Sequence, residues 1–180
     1  EELKTHKSYS LTEEEIKYLE EQRSFPPGFL QKIGSDDIRN IEIVKKLNKE
    51  LESNKQTLFF SCSVDHSKFI CSILIYLGFR AVHIDGSTNK KMRSKYIKDF
   101  RNGNIQIICN FGILSTGFDA PKTDLVFIAR PTASLVLYSQ MLGRGLRGPA
   151  IGGTEWCKVI TVRDNIKGYS NLDHVYSYFE

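Results

Sequence analysis

Short apolar runs recur along the chain at residues 56–61 (QTLFFS), Ala81–Ile84, 105–109 (IQIIC) and 124–128 (DLVFI), with helix-length polar stretches between them. A further run, residues 156–162 (WCKVITV), completes the series. Aromatic and β-branched residues dominate these runs. Their largely continuous hydrophobicity marks strands covered on both faces. Strands alternating with helices in this way predict an α/β fold: a mostly parallel sheet in three layers, with helices on either side.

The intervening segments carry helix signals. Asp36 and Asp37 suit a helix start, and Ile38, Ile41, Val44, Leu47 and Leu51 then recur on one side to about Ser53, which predicts a helix lying on the sheet. Ser63 or Asp65 caps the next helix and Gly78 stops it. Residues 89–101 form a basic helix after the turn Asp85-Gly86-Ser87-Thr88, and residues 133–142 form another. Residues 1–24 read as an acidic, peripheral helix with Thr12 as a cap and Ile16 and Leu19 as a thin apolar stripe. Two prolines and a glycine in residues 24–29 break it. The tail, residues 163–180, reads as a loop and a short helix whose aromatics Tyr169, Tyr176, Tyr178 and Phe179 either stack on bases or, the favoured reading, dock on the core. The expected organisation is a helical extension or interdomain linker over 1–35 and an α/β domain over 36–180.

Composition narrows the function classes. With 41% hydrophobic and 26% charged residues, 180 residues suffice for one well-buried domain. No run reaches the length of a membrane span, and no signal peptide opens the chain. The first residue is Glu1 and not Met, so a fragment or processed chain is expected. Cys62, Cys71, Cys109 and Cys157 form no C-x-x-C pair, and reduced, buried thiols in a cytoplasmic protein are the expectation. The net charge is +4, and its placement is uneven. Residues 80–104 hold seven Lys and Arg against two Asp, whereas residues 1–55 hold ten basic against twelve acidic residues. One basic segment, containing Lys90 and Arg93, therefore offers sequence-independent attraction to a phosphate backbone.

Two glycine-flanked polar clusters follow the third strand: Ser115-Thr116-Gly117-Phe118-Asp119-Ala120-Pro121 and Gln140-Met141-Leu142-Gly143-Arg144-Gly145-Leu146-Arg147. The first is expected beyond a strand's carboxyl end, where open α/β sheets bind ligands. On a helix, Gln140, Arg144 and Arg147 share one face at i, i+4 and i+7. Guanidinium forks beside glycines that admit a ligand's close approach suit the phosphates of a nucleoside triphosphate. Residues 143–148 also fit G-x-G-x-x-G. That pattern signals a dinucleotide site only between a strand and a helix, and here a helix precedes it.

These two clusters resemble motifs V and VI of superfamily 2 helicases and translocases. The intervening ARPTASLVLYSQ looks most like type III restriction translocase subunits and RadD-type DNA repair helicases. The likeness covers roughly residues 56–165 and implies the second RecA-like motor domain of such an enzyme. By that resemblance Arg144 and Arg147 stabilise charge on a γ-phosphoryl group and Gln140 couples it to the attacking water. Gly117, Asp119 and Gly143 bind the nucleotide, and a strand of DNA or RNA is gripped near Ser63, Gly86 and Asn110. His66 in the motif IV segment is a candidate phosphate contact. One departure stands out: Phe111-Gly112 occupies positions where many helicases carry Thr-Asp, the Thr touching a backbone phosphate. Asn110 and Gly112 are the candidates to take that contact.

A complete NTPase site also needs a G-x-x-x-x-G-K-[ST] cradle and an acidic Mg²⁺ ligand. Gly28 and Gly34 are followed by Ser35 with no lysine, and no D-E-x-H or D-E-A-D tetrad occurs. The resemblance assigns those parts, with ATP and its Mg²⁺, to a first RecA-like domain of the same polypeptide, so this chain alone is expected to be inactive. Two other readings stay open: a non-catalytic nucleic-acid-binding RecA-like domain, and a stand-alone small-molecule α/β enzyme, which would need a nucleophile and base pair not evident here.

Overall fold

The structure, a computed structural model, describes residues 1–53, 55–112, 123–143 and 156–167. The described strands are β1 (Glu2–Ser10), β2 (Thr57–Phe60), β3 (Ala81–Ile84), β4 (Ile107–Asn110), β5 (Leu125–Ile128) and β6 (Lys158–Lys167). The helices are α1 (Glu13–Gln22), α2 (Pro27–Gly34), α3 (Asp37–Leu51), α4 (Val64–Tyr76), α5 (Lys90–Arg101) and α6 (Leu135–Leu142). The strands form one sheet in the order β1-β6-β5-β2-β4-β3, every pair parallel. This is the RecA-like α/β arrangement expected.

The central strand β2 shows why the chain layers as it does. Its residues alternate between faces, so Leu58 and Phe60 join Phe100, Tyr138 and Met141 under α5 and α6, while Phe59 joins Ile43, Leu47, Ile70 and Leu74 under α3 and α4. A third cluster, with Tyr9, Leu19, Phe29 and Ile33 at its centre, seats α1 and α2 against the end of β6 through Ile166.

The amino-terminal expectation is corrected. Residues 2–10 are a strand paired with β6, not the start of an acidic helix. Their inward positions are Leu3, Thr5 and Tyr9, and a register shift between Lys4 and Ser8 interrupts the period-two pattern. The helix begins only at Glu13, where Thr12 forms a reciprocal capping box with Glu15. The proline pair ends no helix but starts one: α1 closes on Arg23 in the left-handed region, and Pro27 then occupies the first position of α2. The carboxyl-terminal expectation changes for the same reason as the amino-terminal one. β6 continues to Lys167 because β1 pairs with it beyond the end of β5. Tyr169, Tyr176, Tyr178 and Phe179 lie outside the described residues.

Helix α3 is rotated relative to expectation. Ile38 and Ile41 are exposed, and the buried face consists of Arg39, Asn40, Ile43, Leu47, Glu50 and Leu51. An ion pair sets the rotation. The Arg39 guanidinium donates to both oxygens of Asp164 on β6 (2.7 and 2.9 Å) and to the Ala129 carbonyl, with both side chains of the pair fully buried.

Candidate functional site

Because all strands are parallel, their carboxyl ends share one edge, and the amino ends of α3, α4, α5 and α6 gather there under side-chain caps from Asp36, Ser63, Asn89 and Ser134. At the edge's centre, the Asn110 carbonyl accepts from the Ser61 hydroxyl (2.8 Å) and amide (3.0 Å). The Ala129 carbonyl accepts from the Cys62 thiol at 3.1 Å as well as from Arg39. The loop that launches α6 is therefore fixed from two sides.

Toward β3 the edge becomes a polar turn. Asp85 takes the Ser87 amide (2.9 Å), the Ser87 hydroxyl (2.6 Å) and the Thr88 amide (3.1 Å) on one oxygen, while its other oxygen meets His83 Nε2 at 3.0 Å. The Ser87 hydroxyl first, and then His83, hold the Asp85 carboxyl well below the usual carboxylate range. His83 Nδ1 lies 2.7 Å from the Ser67 hydroxyl, so a Ser67-His83-Asp85 relay ties the turn to α4. Ser67 is fully buried, which makes this a brace and not a nucleophile. Arg93 folds back to donate to the carbonyls of Asp85 (3.2 Å) and Thr88 (3.3 Å). Beyond the turn Lys90, Lys91 and Lys95 are exposed on α5.

A rigid, hydrogen-bonded turn leading into a basic helix, on the carboxyl edge of a parallel sheet, suits a phosphate backbone. The family described as helicase conserved C-terminal domain matches residues 39–148. The chain belongs to that family. Among relatives, a 51.5 kDa protein of Lactococcus phage (isolate 7-9) is 37% identical over 106 residues, which is 59% of this chain and 23% of the phage protein. A Schizosaccharomyces pombe protein assigned as a mitochondrial ATP-dependent helicase, irc3, is 33% identical over 141 residues, 78% of this chain and 23% of that protein. The chain thus spans about a quarter of the length of these relatives. Among solved structures, the E. coli DEAD-box protein SrmB superposes with a TM-score of 0.63 at 14% identity, covering 99% of this chain and 87% of that one, a likeness of fold.

Within this helicase C-terminal domain the described candidate residues divide into two groups. Gln140 and Gly143 stand on the exposed side of α6, opposite the buried Tyr138, Met141 and Leu142. Gly143 caps the end of α6 in the right-handed region, its amide donating to the Ser139 carbonyl at 2.8 Å. Gly86 faces open space at the tip of the polar turn, and Lys90 is exposed. Ser63, Asn110 and Arg93, by contrast, spend their side chains internally: Ser63 caps His66, Asn110 Nδ2 donates to the Phe59 carbonyl at 2.9 Å, and Arg93 braces the turn. His66 is corrected: it is buried, its Nδ1 accepts from the Cys62 amide, and burial together with the Arg39 charge brings it down to about 3. With the side chain enclosed, His66 does not present a donor at the surface where a phosphate backbone would lie. Gly117, Asp119, Arg144 and Arg147 lie outside the described residues.

The relay through His83 and the pair Arg39–Asp164 were not anticipated. The first had a local signal, since His83 and Asp85 are two apart on a strand and share a face. The second joins residues 125 apart and has none.

Proposed function

We propose that this chain is the second motor domain of an ATP-dependent helicase or translocase that moves on DNA or RNA. The single observation that carries the reading is the helicase C-terminal domain match. The braced Asp85–Thr88 turn and its basic helix, on the edge where ligands of open sheets bind, support it. In this reading a first RecA-like domain holds ATP and Mg²⁺ against the carboxyl edge. Arg144 and Arg147 meet the γ-phosphoryl, Gln140 orients water, and Gly117, Asp119 and Gly143 line the nucleotide. The exposed amide of Gln140 fits an anionic nucleotide as a donor. The strand follows Gly86, Lys90 and the backbone near Ser63 and Asn110, with Arg93 holding the turn that presents them. DNA as the strand, repair as the task and the cytoplasm as the place belong to the same proposal. So does the division near residue 35, with α1 and α2 as the extension and β1 as part of the motor domain's sheet.

The test is phosphate release by the full-length protein with and without a single-stranded oligonucleotide. Arg147→Ala should lower kcat by about 10³ to 10⁵, the range for an arginine that completes a phosphoryl-transfer site across a cleft, and Arg147→Lys should restore little. Full turnover in the alanine variant would reject the assignment.

A further inference from the structure

Among the described residues Arg130 has no counter-ion. It stands two residues beyond β5, and its guanidinium carbon lies 5.3 Å from the centroid of the Phe111 ring, one residue beyond β4. Because β2 lies between β4 and β5, the side chain crosses the carboxyl end of the central strand. Its Nε is buried with no hydrogen-bond partner, and among the described residues no carboxylate lies within ion-pair reach. Burial pushes its affinity for the proton down, opposed only by the nearby Cys62. Arg130 as a whole is half-buried, whereas the fully buried Arg39 of the same edge has Asp164 and a carbonyl, with Nη1 alone unpartnered.

A desolvated guanidinium is costly unless its charge and donors are met, and stacking on one aromatic ring recovers a small part of that. Phe111 carries no polar group, so what it supplies is a platform that fixes the guanidinium plane. A cation held over a ligand-binding edge with its Nε unspent is complementary to a planar or tetrahedral oxyanion.

We propose that Arg130 is a phosphate-binding residue, its guanidinium parked on Phe111 to receive a phosphoryl oxygen from either a nucleotide or a nucleic-acid backbone. The inference rests on the reading above that phosphates meet this edge.

The experiment compares the full-length protein with its Arg130→Met and Arg130→Lys variants, using a fluorescein-labelled thymidine 20-mer, a fluorescent ATP analogue with Mg²⁺, and thermal unfolding. Methionine keeps the length and apolar stem and removes the charge. Arg130→Met should weaken one probe by about tenfold or more, as expected for a charge-assisted hydrogen bond, and lysine should recover only part. A backbone source weakens the 20-mer and makes the salt slope of its binding shallower by about one. A nucleotide source weakens the ATP analogue instead. In either case the melting temperature of Arg130→Met should hold or rise, because a half-buried charge with no counter-ion among the described residues has been removed. Unchanged binding of both probes overturns the inference alone, as does loss of melting temperature in step with binding. If the unaltered protein binds neither probe, the functional reading falls and this inference falls with it.

Discussion

Arg39 directly follows Ile38 and stands two positions before Ile41, and its burial decides which way α3 faces. Counting apolar side chains puts Ile38 and Ile41 inward, yet a guanidinium that finds Asp164 and the Ala129 carbonyl holds the helix with those isoleucines in solvent. Thr5 Oγ1 donates to the same carboxylate at 3.0 Å, so β1, β6, α3 and the loop before α6 meet at one charge pair. Removing one partner leaves the other buried and uncompensated. Arg39→Met and Asp164→Leu should each lose about 3–5 kcal/mol in urea unfolding, and the double variant Arg39→Met/Asp164→Leu should lose clearly less than their sum. Additive losses would mean that the pair contributes as two independent packing residues.

At the level of the element, α5 and its turn separate support from contact. Arg93 holds the turn, so reversing its charge would disturb the structure along with any ligand. Lys90, Lys91 and Lys95 are exposed and make the cleaner probe. Glutamate at the first two helical positions also faces the favourable end of the helix dipole, so the fold is preserved. Changing all three to Glu should leave the melting temperature within about 2–4 °C, which corresponds to roughly 1 kcal/mol. It should also weaken oligonucleotide binding and make its dependence on log salt shallower by about two to three. Unchanged binding would make α5 an ordinary solvated face.

The same contrast marks what was legible beforehand. Strands β2 to β5 were readable because buried parallel strands are continuously apolar, and α4, α5 and α6 because their caps and stops are local: Ser63, Asn89, Ser134 and, at φ +90°, Gly78. β1 was not, since an edge strand with Lys4, His6, Lys7 and Ser8 exposed shows three inward residues interrupted by a register shift. In the candidate site, the exposure of Gln140, Gly86 and Lys90 followed from motif position. The internal use of Asn110 depends on Phe59 across the sheet, whereas Arg93 and His66 bond within eight residues of themselves, to Asp85, Thr88 and Cys62, through turn geometry that residue spacing alone does not give.

At the scale of the whole sheet, one side is closed by β1. β1 covers the edge of β6 from Glu2 to Ser10, and Leu3, Thr5 and Tyr9 turn inward from it. Deleting residues 1–10 should uncover a long strand edge and strip the Arg39–Asp164 pair of the Thr5 hydroxyl. A loss of roughly 3–5 kcal/mol, or about 6–20 °C in melting temperature, is expected, with oligomers visible by size-exclusion chromatography. A monomer that melts as before would show that β1 is dispensable trim. The pairing also has a consequence in time. Thr5 and Asp164 are 159 residues apart, so on a ribosome adding about 5–20 residues each second the first strand waits roughly 8–30 s for its partner to be made. During that interval it is an unpaired ribbon in a crowded solution, where any neighbouring strand could capture it. Its lysines and scattered apolar residues make it a poor template for strangers, which is what a strand made well before its partner requires.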